Sequence, residues 1–171
     1  LHGGKQERGM RAGTENVPAI VGMGKAALFA FDTMKERRER ETELRDYMIH
    51  RIEQEIPYCH LNGPRKRRLP NNVNMSFSFV DGETIVILLD MEGICASAGS
   101  ACTAGQSIAS HVIHALGISA DLAIGTLRFT LGRQTTKAEI DQTIKIKKKI
   151  LEENRELNPR FTTFIRNNRK R

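Results

Sequence analysis

Residues 17–56 carry a helical period that is apolar at both ends and charged all round in the middle. Val17, Ile20, Val21, Met23, Ala27, Phe31 and Met34 share one face, and Leu44, Met48 and Ile52 take the stripe up again. Between them Lys35–Glu43 is polar on every side, steadied by the i,i+4 pairs Glu36–Arg40 and Glu41–Arg45. A helix of this length and pattern predicts a connector that crosses solvent between two packed bodies. Gly22 and Gly24 each weaken it by about 1 kcal/mol relative to Ala, so close packing is expected there.

The segments on either side differ in kind. Residues 1–16 hold Gly3, Gly4, Gly9 and Gly13 among interleaved charges and show no apolar period. They read as a loop that needs neighbours the chain does not supply. Beyond the helix, a short strand is expected near Tyr58–Leu61, then a turn at Asn62-Gly63-Pro64. Val73–Phe79 alternates strictly, as a strand with one buried face does. Asp81 can cap a helix over Glu83–Asp90, Ile94–Ala96 suggests another short strand, and Ser110 can cap a brief helix to Leu116. Thr126–Leu131 reads as a strand. Thr136 with Glu139 makes a capping box ahead of a helix marked by Ile140, Ile144, Ile150 and Leu151. This order predicts an α+β arrangement, a small sheet with helices on one face.

Composition excludes several classes. Hydrophobic residues make up 39% of the 171, which allows a real core and argues against wholesale disorder. No apolar run approaches the roughly 20 residues a membrane helix needs, and no signal peptide opens the chain. Three cysteines make an odd count, so reduced thiols and a cytoplasmic setting are expected instead of a disulfide framework. The net charge of +7 is localised: residues 1–63 are neutral, residues 64–135 carry +1 and residues 136–171 carry +6. Apart from the cluster Arg65–Arg68, the basicity lies in the last helix and a basic tail over 158–171, read as solvated surface and a frayed end. Neither basic segment has the interleaved aromatics that nucleic-acid modules use, and nucleic acid is not expected as a partner.

Three places could carry chemistry. Cys102 sits in the small-residue run Ala98–Gly105, where a thiol is accessible and free to move, as a nucleophile that must reach a substrate requires; an ordinary turn residue is the plainer reading. Cys59 and Cys95 lie in apolar or strand-like stretches and are expected to be buried, inert thiols. No C-x-x-C pair is present, and His111 and His114 lack a third ligand at useful spacing, so no metal is expected. Arg128 alternates with Leu127 and Phe129 and points to the opposite face, where it could grip a carboxylate. Gly13-Thr14 follows Arg8 and Arg11 and precedes a helix, a setting that suits a phosphate weakly.

Taken together these segments resemble a known family. The run Gly3-Gly4-Lys5-Gln6-Glu7-Arg8-Gly9-Met10-Arg11-Ala12-Gly13-Thr14-Glu15-Asn16 is similar to a stretch of the NifS/IscS-type cysteine desulfurases, pyridoxal-phosphate enzymes of the class V aminotransferase family with fold type I. The likeness continues through Leu69–Phe77, Ala98–Thr103, Ser110-His111-Val112 and Thr126–Arg133 up to Thr136, in order and with family-like spacing. Lys5 stands where a glycine is usual, Ile108-Ala109 where Glu-Pro is frequent, and His114 where Arg is frequent.

The resemblance implies a fold and a set of roles. The chain would be the C-terminal part of a fold type I transferase: residues 1–16 a remnant of the large cofactor domain, 17–56 the connecting helix, and 57–157 the small domain. That small domain would hold a short, mainly antiparallel sheet. Cys102 would be the nucleophile that takes sulfur from cofactor-bound L-cysteine, leaving alanine and a persulfide. Arg128 would anchor the substrate carboxylate. Thr14 would reach the phosphate of the pyridoxal 5'-phosphate held by the other subunit of a homodimer. Sulfur would pass to an iron–sulfur scaffold or a tRNA-thiolation protein. The family's Schiff-base lysine has no counterpart in this chain, since Lys5 is not in its motif, and the chain alone is expected to be inactive.

Two other readings stay open. A selenocysteine lyase or another class V aminotransferase would share these motifs. A non-catalytic sulfur carrier or basic interaction module would use the thiol and the charge without catalysis.

Overall fold

The computed structural model describes residues 2–98 and 110–168. The chain divides into two compact units, Leu1–Arg37 and Arg38–Arg171. The division falls inside the stretch expected to be one connecting helix, and that stretch is two helices.

In the first unit, β1 (Lys5–Gln6) pairs antiparallel with β2 (Arg11–Ala12), and a single turn of 3-10 helix joins them. Arg8 in that turn adopts the left-handed region at φ 56°. Asn16 then starts α1 (Val17–Asp32), its side chain accepting from Ala19 N at 3.2 Å. Thr33 ends α1: its hydroxyl donates to Phe29 O at 2.8 Å and its ψ is near 0°. Such a back-bonded hydroxyl competes with helix propagation, which is why the apolar period runs on while the helix stops. No residue of α1 is buried, and Val21, Met23, Leu28 and Phe31 are each more than 60% exposed. This helix presents an apolar face with nothing in its own unit to cover it.

α2 (Met34–Glu55) continues into the second unit, whose sheet has the order β3-β4-β5, antiparallel throughout. These strands are β3 (Cys59–Leu61), β4 (Asn72–Phe77) and β5 (Thr126–Thr130). The register sets Cys59 against Phe77 and Asn74 against Arg128. Val73, Met75, Phe77, Leu127 and Phe129 therefore share the inner face. They form one core with Met48, Ile49 and Ile52 of α2, Ile85 and Leu89 of α3 (Gly82–Met91), and Ile140, Ile144 and Leu151 of α6 (Lys137–Glu156). The α+β sheet with helices on one face is thus observed. The expected strand at Ile94–Ala96 is not; only a two-residue bridge, Ser97 to Arg128, forms there.

Local rules explain most element starts. Asp81 accepts from Thr84 N at 2.8 Å and caps α3. Thr136 and Glu139 make both halves of the capping box on α6. Ser110 stands at the N-terminus of α4 (His111–Ala115) but makes no side-chain cap bond. The short α5 (Ala120–Ala123) leads to Gly125, where a Cβ would lie 1.9 Å from the carbonyl oxygen of Phe77. Only glycine lets β4 and β5 close at that point.

Three expectations about charge are sharpened. The polar middle of the helical stretch is largely exposed over residues 35–40, yet it is tethered: Arg40 donates to the carbonyls of Arg133 and Thr135 at 2.9 and 2.5 Å. Buried Arg45 donates to Leu69 O at 3.0 Å and pairs with Asp46. The last helices are not simply solvated surface either, since Lys147 and Arg155 of α6 are buried. Finally, the described part of the tail is not frayed. Residues Pro159–Asn168 form α7, and its Phe161 and Phe164 pack against Tyr58 and Phe79 with ring centroids 5.1–5.9 Å apart.

Candidate active site

Arg128 lies in the middle of β5, exposed, on the face turned away from the core. Its cross-strand neighbour there is Asn74. Beside them, Asn62 donates to Asn74 Oδ1 at 2.7 Å and to Ser76 Oγ at 2.9 Å, and the Ser76 hydroxyl lies 2.7 Å from that of Thr126. Asn62, Ser76 and Thr126 are buried. A closed set of hydrogen bonds of this kind fixes the outer face of the sheet without leaving a polar group unmet. Arg128 therefore projects from rigid backbone, as a group that must orient a substrate should.

The backbone of Arg128 has a second partner. Ser97 N donates to Arg128 O at 3.0 Å, and Arg128 N donates to Ser97 O at 2.7 Å. β5 is thus flanked by β4 on one side and by Ser97 on the other. The segment carrying Cys102 sets out from the strand edge at Arg128. Cys102 itself lies outside the described residues, and so do the Ala98–Gly105 run beyond Ala98 and Ile108-Ala109.

Thr14 belongs to the first unit. It stands exposed between β2 and Asn16, and the Arg11 guanidinium donates to the carbonyls of Gly13 and Thr14 at 3.3 Å each. Gly13 has a φ of +82°, a left-handed turn that glycine adopts without strain. A shallow cleft of about 360 Å³ next to it is lined by Glu7, Arg11, Glu15, Asn16 and the start of α1. Thr14 thus offers one exposed hydroxyl that could donate to a phosphate, while Val17 N and Ala19 N of α1 are already met by Glu15 O and Asn16 Oδ1.

The other thiols depart from expectation. Cys95 is exposed, not buried: its neighbours Ile94 and Ala96 pack against the core, and it lies between them. Cys59 is half-buried, and burial pushes its thiol above the ordinary value. His111 and His114 are exposed, and no three His, Cys, Asp or Glu side chains converge among the described residues. No single helix among them is long and apolar enough to cross a membrane.

Two features had escaped the sequence reading. Lys147 has a fully buried side chain whose Nζ lies 4.5 Å from the Phe77 ring centroid and 4.7 Å from that of Phe129. The signal was present, since Ile140, Ile144, Lys147 and Leu151 follow one helical stripe. The other is Arg155, which donates to Ser78 O at 3.1 Å and Tyr58 O at 3.3 Å.

A small antiparallel sheet with helices on its inner face and one arginine presented from its outer face is what the fold defines. Residues 3–143 match the family described as Aminotransferase class-V, and the chain belongs to that family. It is 48% identical over 159 residues to the cysteine desulfurase IscS of Dictyoglomus turgidum, covering 93% of this chain and 40% of that protein. It is 44% identical to the IscS of Clostridium botulinum, covering 98% of this chain and 43% of that protein. Among solved structures, a NifS-like protein superposes with a TM-score of 0.76 at 32% identity, covering 89% of this chain and 38% of the other. A NifS-like protein from Rickettsia africae gives 0.74 at 27%, covering 89% and 39%. The chain spans about two fifths of the length of the curated relatives it matches.

Proposed function

We propose that this chain is the part of a pyridoxal-phosphate-dependent cysteine desulfurase that carries the sulfur-accepting thiol, Cys102, and the carboxylate anchor, Arg128. The observation that carries the reading is the two-bond bridge from Ser97 to Arg128, which starts the thiol segment beside the anchor. A substrate carboxylate held by Arg128 would have its side-chain sulfur within reach of a thiol tethered five residues beyond Ser97. The guanidinium orients L-cysteine, and the thiolate accepts its sulfur as a persulfide while alanine is left behind. The cofactor, when bound, supplies the electron sink that lets the carbon–sulfur bond break. Thr14 would hold its phosphate, in the partner subunit of a homodimer.

The exposed apolar face of α1 supports assignment to a longer protein. Its residues need a covering surface, and the remaining three fifths of the relatives' length could provide one. On this reading residues 1–16 belong to the large domain, and the second unit with α7 forms the small one. The working setting is cytoplasmic, and the sulfur goes to an iron–sulfur scaffold or a tRNA-thiolation protein.

The test joins this chain to the N-terminal three fifths of the Dictyoglomus turgidum relative and supplies L-cysteine and pyridoxal phosphate. The joined protein should release alanine catalytically, whereas the 171-residue chain alone should not. Catalytic alanine release by the chain alone, or turnover that Arg128→Ala leaves untouched, contradicts the proposal. Strong selectivity for selenocysteine over cysteine would favour a selenocysteine lyase.

A further inference from the structure

Lys147 is the one fully buried cation of the described core, and its Nζ has no hydrogen-bond partner there. An isolated buried ammonium is costly, and the faces of Phe77 and Phe129 offset only part of that cost. Cys59 stands directly opposite Phe77 in the β3–β4 register, so the two side chains leave the same face of the sheet as neighbours. That is the face on which Lys147 lies. The Cys59 thiol has only a long contact, donating to Ile52 O at 3.9 Å. Electrostatically, the amine and the thiol act on each other, and Glu53 and Arg155 are the other charged groups that act on Cys59.

We propose that Cys59 and Lys147 are a redox modification site, at which a peroxide drives formation of a sulfur–nitrogen bond between β3 and α6. In the first step the Cys59 sulfur attacks one peroxide oxygen and the O–O bond breaks. The departing hydroxide takes the thiol proton and leaves as water, giving a sulfenic acid. In the second step the Lys147 nitrogen attacks that sulfur, the S–O bond breaks, and hydroxide leaves with an amine proton as a second water. Sulfur is oxidised by two electrons, one peroxide is reduced to two waters, and the joined residues have lost two hydrogens. An added thiol reverses the link by attacking sulfur and releasing the amine.

The surroundings favour the second step over the first. Burial draws Lys147 down from the ordinary 10.5 to about 7, so a neutral, nucleophilic amine is available near neutral pH. Burial holds Cys59 in its thiol form, so oxidation of sulfur sets the pace. The link would staple the sheet to α6 without involving Cys102.

The experiment exposes the full chain to hydrogen peroxide, quenches it, alkylates free thiols and digests without reductant. Tandem mass spectrometry should find a Cys59–Lys147 peptide pair lacking two hydrogens, which separates after dithiothreitol. In Lys147→Met, a near-isosteric change, the pair should vanish while Cys59 still oxidises. Recovery of wild-type Cys59 only as alkylated thiol, as sulfinic acid or in a disulfide, with Lys147 unmodified, overturns the proposal.

Discussion

Ser97 and Arg128 exchange both of their backbone hydrogen bonds, at 3.0 and 2.7 Å, so the root of the Cys102 segment and the proposed substrate anchor are one rigid unit. Removing the guanidinium should damage substrate handling and leave the fold alone, because Arg128 points away from the core. In the joined protein, Arg128→Gln should lower kcat/KM for L-cysteine by about a hundredfold, as loss of a charge-assisted bond worth roughly 1.5–3 kcal/mol implies. Most of the change should appear in KM, and steady-state alanine release measures it.

Lys147 makes stability depend on pH in a calculable direction. Its folded value is near 7 against 10.5 for an ordinary lysine. Between those values the unfolded chain holds one more proton, so stability rises with pH by about 1.4 kcal/mol per unit. The gain is complete above the unfolded value and is lost as pH falls to the folded one. Cys59 is the titratable partner that acts on it. Lys147→Met should flatten this slope and raise stability near neutral pH. Urea unfolding at several pH values, followed by circular dichroism, reads both effects.

Gly125→Ala should destabilise the small sheet. The added Cβ would meet the Phe77 carbonyl oxygen at 1.9 Å, and backbone cannot swing aside as a side chain can. The cost should reach or exceed the upper end of the ~1–3 kcal/mol typical of overpacking. A lowered urea midpoint with unchanged slope checks it.

Phe164→Ala should loosen α7. The ring packs edge-on to Tyr58 and tilted on Phe79, two residues held at positive φ of 56° and 66°. Because Phe164 is only partly buried, the loss should be about 1–2 kcal/mol, below the 3–5 of a core phenylalanine. Faster proteolysis within 159–168 is the expected sign.

How far these features could be read in advance follows from their range along the chain. The alternation over Val73–Phe79 and the caps at Asp81 and Thr136 are local signals; both caps form, and the strand forms over Asn72–Phe77, stopping short of Phe79 at its positive φ of 66°. The break at Thr33 is local too, but it is a hydroxyl's choice of partner that the apolar period does not register. α7 was missed because its aromatic residues matter only once Tyr58 and Phe79, which lie far back along the chain, are brought beside them. Lys147 sat on a legible stripe, and its charge masked its position. Motif resemblance carried the roles of Cys102, Arg128 and Thr14, and the fold adds to it the bridge between Ser97 and Arg128.

The central claim is that Cys102 carries the sulfur. Its most direct measurement is a single turnover of the joined protein with L-cysteine, followed by alkylation and peptide mass spectrometry of every thiol. The account predicts a persulfide on Cys102, absent in Cys102→Ala while cofactor absorbance is retained. A persulfide on Cys59 or Cys95 instead, or alanine release that continues unchanged in Cys102→Ala, would contradict it.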